Sequence, residues 1–408
     1  MKVTRIDTIT CSSYRVMVWV QVHTDAGLIG LGDTCYHEPQ VADFIHDAAA
    51  PYLLGKDPRT VEQHHRVLRT PLNFGRQNGQ VNGLSAIDLA LWDLHGQSVD
   101  VPIYKLLGGP ARDRIRVYNT CHGTTHPFHW QPALEPPDPS DYSARWVRHT
   151  PFDQDEVMWK EQGRTGELAQ SLLDMGITAM KIWPFDPHRI GTDGQHISQK
   201  QIDTALEPFR QVRRAVGAQM DLPVELHGGW YPQAAIRIAE ALREIRPLWI
   251  EDPLSSRDNI DAFAEVARKT PIPVAISESL CGRAIFKEIL EKQAAGILIM
   301  DIGWIGGISE AHFIAKLAQM YDRPFATHDA SGPATFVASS HLCIAEPNAL
   351  ILEGIRASYI GGWFHDVLTQ LPQIERGYIT PPRGPGLGTS LLPSFLSRPD
   401  VTVRTSEL

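Results

Sequence analysis

The stretch from residue 221 to 252, DLPVELHGGWYPQAAIRIAEALREIRPLWIED, decides the fold. It opens on a short apolar run that ends in charge (221–227). It then passes through PQAAIRIAEALREI (232–245), whose apolar residues recur at helical spacing, and closes on a second apolar run, PLWIED (247–252). Strand, helix and strand in about thirty residues make one parallel crossover unit. A strand without polar alternation is buried on both faces, which requires helices packed on each side of the sheet.

Working outward, the same rhythm recurs on both sides. The further runs are IRVYNTC (115–121), TAMKIW (178–183), IPVAISE (272–278), AGILIMD (295–301), RPFATHD (323–329) and NALILEG (348–354), with helical patterns such as SEAHFIAKLAQMY (309–321) between them. Eight strands over about 240 residues have the size of a closed (β/α)-barrel of the TIM type, predicted over residues 115–364. A doubly wound sheet shares the rhythm and is the alternative, because periodicity does not report closure. Before the barrel, VMVWVQVHTDAGLIGLG (16–32) alternates around Asp25-Ala26-Gly27 as a hairpin does, and SAIDLALWDLH (85–95) has helical period. Hairpin followed by helices predicts a separate α+β domain over residues 1–114. Residues 122–155, rich in Pro, His, Trp and charge, form a long excursion after the first barrel strand, and a loop of that length in a compact domain is usually functional or disordered. PPRGPGLG (381–388) lacks the Gly-Lys-Ser/Thr ending of a phosphate loop and reads as a turn.

The chain has 408 residues, 43% of them hydrophobic, and a net charge of −9. That charge argues against nucleic acid as a partner, since such proteins present a basic face to phosphate. No run reaches the ~20 apolar residues of a membrane span, and Lys2, Arg5 and Asp7 interrupt the place of a signal-peptide core, so the expected location is cytoplasmic. Cys11, Cys35, Cys121, Cys281 and Cys343 are scattered and odd in number, which predicts reduced thiols and no thiolate metal site.

Polar residues close the apolar runs from the second strand onward: Lys181, Glu225 with His227, Glu251, Glu278, Asp301, His328 and Glu353. From Glu225 the intervals are 26, 27, 23, 27 and 25 residues, close to one βα unit each, so these groups stand at the C-terminal mouth where barrel enzymes carry their chemistry. Three converging glutamates repel one another unless a cation neutralises them. Carboxylates without clustered Cys or His favour Mg²⁺, with Mn²⁺ as its chemical substitute. Asp301 and His328 lie on neighbouring strands, where the aspartate fixes the imidazole's tautomer and raises its basicity for proton abstraction. His227 follows Glu225 by two residues and is expected on the same face of the strand. The third and seventh strands of an eight-strand ring are opposed, which sets His227 across a substrate from His328 as a general acid facing a general base.

These residues resemble the enolase superfamily and, within it, the acid-sugar dehydratases of the mandelate racemase subgroup. SAIDLALWDLHGQSVDVPIYKLLGG (85–109) resembles that family's junction helix, and PGLG (385–388) its C-terminal signature. The resemblance implies that the first domain caps the barrel and that residues 365–408 return to it. It implies Glu225, Glu251 and Glu278 as metal ligands, the His328–Asp301 dyad, and Glu353 as the acid that hydrogen-bonds the substrate carboxylate or enolate. The family's racemases carry Lys-x-Lys where this chain has Lys181-Ile182-Trp183, and Trp183 cannot accept a proton. Glu225-x-His227 instead resembles galactonate and mannonate dehydratases, in which the histidine is the general acid. The expected activity is removal of the C2 proton of a sugar acid through an enediolate, loss of the C3 hydroxyl, and release of a 2-keto-3-deoxy acid. The rivals are an epimerase or cycloisomerase using the same metal and base, and a non-catalytic barrel that binds an acidic ligand. The family's lid comes from the capping domain, which nominates the loops at Tyr14-Arg15 and Tyr36-His37. Family members are usually oligomeric, so a homo-oligomer is expected.

Overall fold

A computed structural model describes residues 1–70, 78–123, 150–329 and 331–408. Most of the excursion expected at residues 122–155 therefore lies outside the described residues.

The eight runs predicted as strands form β4 (Ile115–Thr120), β5 (Met180–Lys181), β6 (Pro223–Glu225), β7 (Trp249–Glu251), β8 (Val274–Ile276), β9 (Ile297–Met300), β10 (Phe325–Thr327) and β11 (Ala349–Gly354). Parallel pairing runs from β6 through β7, β8, β9, β10 and β11 to β4, and β4 pairs with β5. Parallel bridges Ala179–Asp221 and Ile182–Val224 join β5 to β6, so the ring closes as a barrel. Closure removes the doubly wound alternative. Tyr118, Ala179, Trp249, Ala275, Ile297, Ile299, Ala326 and Ile351 form one buried cluster inside the ring, while the opposite faces of the strands pack on the surrounding helices. This is the two-sided burial that the unbroken apolar runs required. A hairpin, β12 (Gln373–Glu375) and β13 (Tyr378–Thr380), adds antiparallel to β4.

The first domain is a four-stranded antiparallel sheet in the order β14–β1–β2–β3, with β1 at Val3–Cys11, β2 at Met17–Thr24, β3 at Ile29–Cys35 and β14 at Val401–Glu407. The expected hairpin is β2–β3, with Gly27 at φ +75° in its turn. The helix Asn78–Ser98 lies so close on β3 that a Cβ at Gly30 would strike the carbonyl of Ala90, and one at Gly32 that of Ala86. Glycine is required at both places by that approach.

Buried acids fasten this domain to the barrel. Asp88 on the helix Asn78–Ser98 accepts from Ser309 N (2.9 Å) and Ser309 Oγ (2.6 Å) in the first turn of the helix Gly307–Met320. Asp93 accepts from Leu31 N (2.9 Å) and from Leu387 N (2.8 Å) in the PGLG turn. Asp33 on β3 accepts from Ala334 N (2.7 Å) and Thr335 N (2.8 Å), capping the helix Pro333–Ala345 that follows the His328 loop. Each satisfies backbone donors that a helix start or turn leaves open. Burial, against those hydrogen bonds, pushes the carboxyls of Asp33 and Asp93 up to about 7. No helix among the described residues is long and apolar enough to cross a membrane.

Candidate active site

The period of two that governs a strand also aims the mouth. Ala179, Trp249, Ile299, Ala326 and Ile351 point into the ring, and two residues further along the chain stand Lys181, Glu251, Asp301, His328 and Glu353. Those five polar side chains are buried at the C-terminal rim. Glu225 ends β6, and Glu278 follows β8 by two residues.

Lys181 occupies the middle of the acids. Its ammonium lies 2.8 Å from Glu251 Oε1, 3.0 Å from Glu353 Oε1 and 3.3 Å from Glu225 Oε2. Burial works against its charge, but the glutamates, Glu251 foremost, hold its pKa well above the ordinary lysine value. Burial and the charge of Glu225 drive the Glu251 carboxyl the other way, well above the carboxylate range. Glu225 Oε1 accepts from the backbone of Leu226 (3.0 Å) and His227 (2.7 Å), and Glu251 Oε2 accepts from Trp249 Nε1 (2.8 Å). Glu278 is held least: Arg257 approaches its Oε1 at 3.9 Å, and its buried Oε2 has no hydrogen-bond partner among the described residues.

His328 Nδ1 lies 2.7 Å from Asp301 Oδ2, which also accepts from Ser331 Oγ at 2.6 Å, while Asp301 Oδ1 accepts from Gly303 N at 2.8 Å. Burial opposes charging His328, yet Glu353 and Asp301 outweigh it and raise the imidazole to about 10. Trp304 packs on the ring at 5.0 Å between centroids, and Tyr36 packs on Trp304 at 5.7 Å. Glu353 accepts from Thr120 Oγ1, and its Oε2 accepts from Asp329 N at 3.1 Å.

The same-face argument for His227 does not hold in its detail, because β6 ends at Glu225 and His227 sits in the following turn at φ +45°. The ring nevertheless reaches the mouth, edge-on to Trp183 at 5.6 Å. Its Nδ1 is 2.6 Å from Asp186 Oδ2. Burial lowers the His227 pKa, but Glu225 and Asp186 prevail and lift it to about 9. Trp183 also meets Trp159 at 5.0 Å and His122 at 5.9 Å, making an aromatic wall on this side.

Of the loops nominated as a lid, Tyr36 joins the mouth through Trp304, and His37 beside it is exposed. Tyr14 is buried, stacked on Trp363 at 4.6 Å and set edge-on to Trp19, and Arg15 is exposed next to it. Asp186, Trp304 and Arg257 were missed by sequence reasoning. The first two lie in irregular turns where neither period applies, and Arg257 is in the loop after β7.

The donor set is chemically suited to a hard divalent cation: three carboxylates on adjacent strands, one with a buried unpartnered oxygen. Among the described residues no three His, Cys, Asp or Glu side chains are gathered into a metal-holding group as they stand. The Lys181 ammonium bonds two of the three glutamates.

Comparison with known proteins follows this geometry. Residues 164–394 match the family model described as enolase C-terminal domain-like, and residues 4–108 match the mandelate racemase / muconate lactonizing enzyme N-terminal domain. A D-xylonate dehydratase of Haloferax volcanii is 29% identical over 96% of this chain and 87% of its own length. A D-galactonate dehydratase of Ralstonia nicotianae is 28% identical over 96% and 92%. Among solved structures, an enolase of the mandelate racemase subgroup from Agrobacterium tumefaciens, with a succinimide residue, is 37% identical. It superposes with a TM-score of 0.85 over 100% of this chain and 99% of that one.

Proposed function

The chain belongs to the enolase superfamily, in its mandelate racemase and muconate lactonizing enzyme family, and we propose that it is a Mg²⁺-dependent sugar-acid dehydratase. The observation that carries this reading is the pairing of two histidines with carboxylates on opposite sides of one acid-lined mouth. His328 follows β10 and His227 follows β6, four places apart in a ring of eight. The dehydratase names of the relatives from Haloferax volcanii and Ralstonia nicotianae support it.

Glu225, Glu251 and Glu278 are the residues that would hold Mg²⁺ or Mn²⁺. When bound, the ion supplies Lewis-acid stabilisation of developing negative charge, and a Lys or His base working beside Mg²⁺ on an ene-diolate is the general pattern of this superfamily, taken over here as such. His328 removes the proton from C2 of the acid, and Asp301 stabilises the imidazolium that results. Glu353, fixed by Thr120 and the backbone of Asp329, faces the same space and hydrogen-bonds the substrate carboxyl or enediolate oxygen. His227 delivers a proton to the departing C3 hydroxyl. Trp183 packs edge-on against His227, and Trp304 packs against His328. Lys181 is engaged by three glutamates and has no second lysine two residues on, which disfavours a two-base racemase.

The test is a screen of mono- and diacid sugars with Mg²⁺ for semicarbazide-reactive keto acid, run in parallel in D₂O. Keto-acid release is the expected result. Deuterium at C2 with the hydroxyl retained would assign an epimerase instead, and binding that survives His328→Asn with no chemistry in the wild type would assign a non-catalytic barrel.

A further inference from the structure

The two histidines are built alike in a way that no motif announces. His328 has the Asp301 carboxyl at Nδ1 and the Trp304 ring against it. His227 has the Asp186 carboxyl at Nδ1, 2.6 Å away, and the Trp183 ring against it. In each case the tryptophan and the aspartate come from a single segment and stand three residues apart, Asp301 before Trp304 and Trp183 before Asp186. The acid side of the mouth thus repeats the architecture of the base side, with the order of the two residues reversed.

We infer that Asp186 is the positioning residue of His227: it accepts a hydrogen bond from Nδ1–H, so the ring direction that aims Nε2–H at the substrate is fixed from the neighbouring βα loop. A carboxylate oxygen can only accept, so Nδ1 must carry the hydrogen. The backbone of His227 is already held, its N–H donating to Glu225 Oε1 at 2.7 Å and its carbonyl accepting from Arg257 at 3.0 Å. What remains free is rotation of the ring, and Asp186 and Trp183 restrain it on two sides. Asp186 opens the short turn Asp186–Arg189 after β5 and is 41 residues from His227 in the chain. Its other oxygen is buried with no hydrogen-bond partner among the described residues, so among them the bond to His227 is the one a substitution of the side chain removes. Sequence reading could not find it, because the turn has no period and Asp-Pro is a common turn opening.

This inference rests on His227 as the proton donor to the leaving hydroxyl, and the experiment separates the two. The full-length Mg²⁺-loaded enzyme is compared with Asp186→Asn and Asp186→Ala in three assays: keto-acid release, C2 proton exchange in D₂O, and ring ¹⁵N shifts of histidine-labelled protein. The expected result is a fall in kcat for keto-acid release on the order of 10²-fold with KM changed by no more than about twofold. C2 exchange, which is the work of His328, should persist in both variants, which also reports an intact fold. The His227 Nδ1 signal should lose the shift of an N–H hydrogen-bonded to a carboxylate. Unchanged dehydration, or dehydration and exchange falling together, or an unaltered His227 signal overturns the inference. If the wild type releases no keto acid from any sugar acid, the dehydratase reading falls, and the ¹⁵N shifts alone then decide whether Asp186 holds the His227 ring through Nδ1.

Discussion

Replacing Lys181 by Met tests how the mouth keeps its acids together. The side chain is 3% exposed, and its ammonium bonds or pairs with Glu225, Glu251 and Glu353. Methionine keeps the length and removes the charge, leaving buried carboxylates without their shared counterion. Breaking a buried ion pair by deleting one partner destabilises by about 3–5 kcal/mol. Unfolding entropy near 2.1 cal/mol/K per residue gives about 0.9 kcal/mol/K for 408 residues, so a loss of about 4 kcal/mol lowers Tm by about 5 °C. A divalent cation at about one hundred times its Kd returns about 2.7 kcal/mol, or about 3 °C. In Lys181→Met the cation no longer competes with an ammonium for Glu225 and Glu251, so its increment should exceed that of the wild type. Differential scanning calorimetry with chelator and then across a Mg²⁺ titration reads both quantities. A variant that melts within about 1 °C of wild type in chelator, with an equal Mg²⁺ increment, refutes the reasoning, since it would mean that the ammonium and the ion share no ligands.

His328→Asn should abolish C2 exchange and keto-acid release together, by on the order of 10³-fold or more, measured by proton NMR in D₂O. Asp301→Asn should lower kcat and move the rising limb of the pH–rate profile to lower pH, because the base acts unprotonated and Glu353 and Asp301 together hold His328 up near 10 against burial. The raised His328 pKa also adds stability that is full below about 6.5 and lost as pH rises through about 10, so a pH series of melting curves should flatten over that window in Asp301→Asn. Arg356 is buried and holds Asp155 through two hydrogen bonds of 2.6 and 2.7 Å, and Arg356→Met should destabilise by about 3–5 kcal/mol in urea unfolding, with much of the loss relieved by adding Asp155→Asn.

The barrel was legible because its strands are buried on both faces, and eight unbroken apolar runs, the last six about one βα unit apart, leave few other folds. The mouth was legible for the same reason: alternation within each strand carries from the inward Trp249 to Glu251 and from the inward Ala326 to His328. Where chains leave regular structure, that logic stops. His227 lies past the end of β6 at positive φ, so its placement depends on a turn, and its partner Asp186 belongs to another loop altogether. β14 is mostly exposed along its length and has no apolar alternation to betray it, yet it pairs with β1 over seven residues. Asp33, Asp88 and Asp93 read as ordinary polar positions of a strand and an amphipathic helix. Only the packed structure shows each one closing a helix start or turn across the interface. Tyr14 was nominated from its place in a loop, and its ring is instead packed between Trp19 and Trp363.

The account depends on Glu225, Glu251 and Glu278 sharing a divalent cation. Crystals soaked in Mn²⁺ and measured at the manganese edge test this directly. The account predicts one anomalous peak with an oxygen from each of the three glutamates about 2.2 Å away, and Lys181 turned off Glu225 and Glu251. Absence of a peak among them, with Lys181 still bonded to both at saturating Mn²⁺, would contradict it.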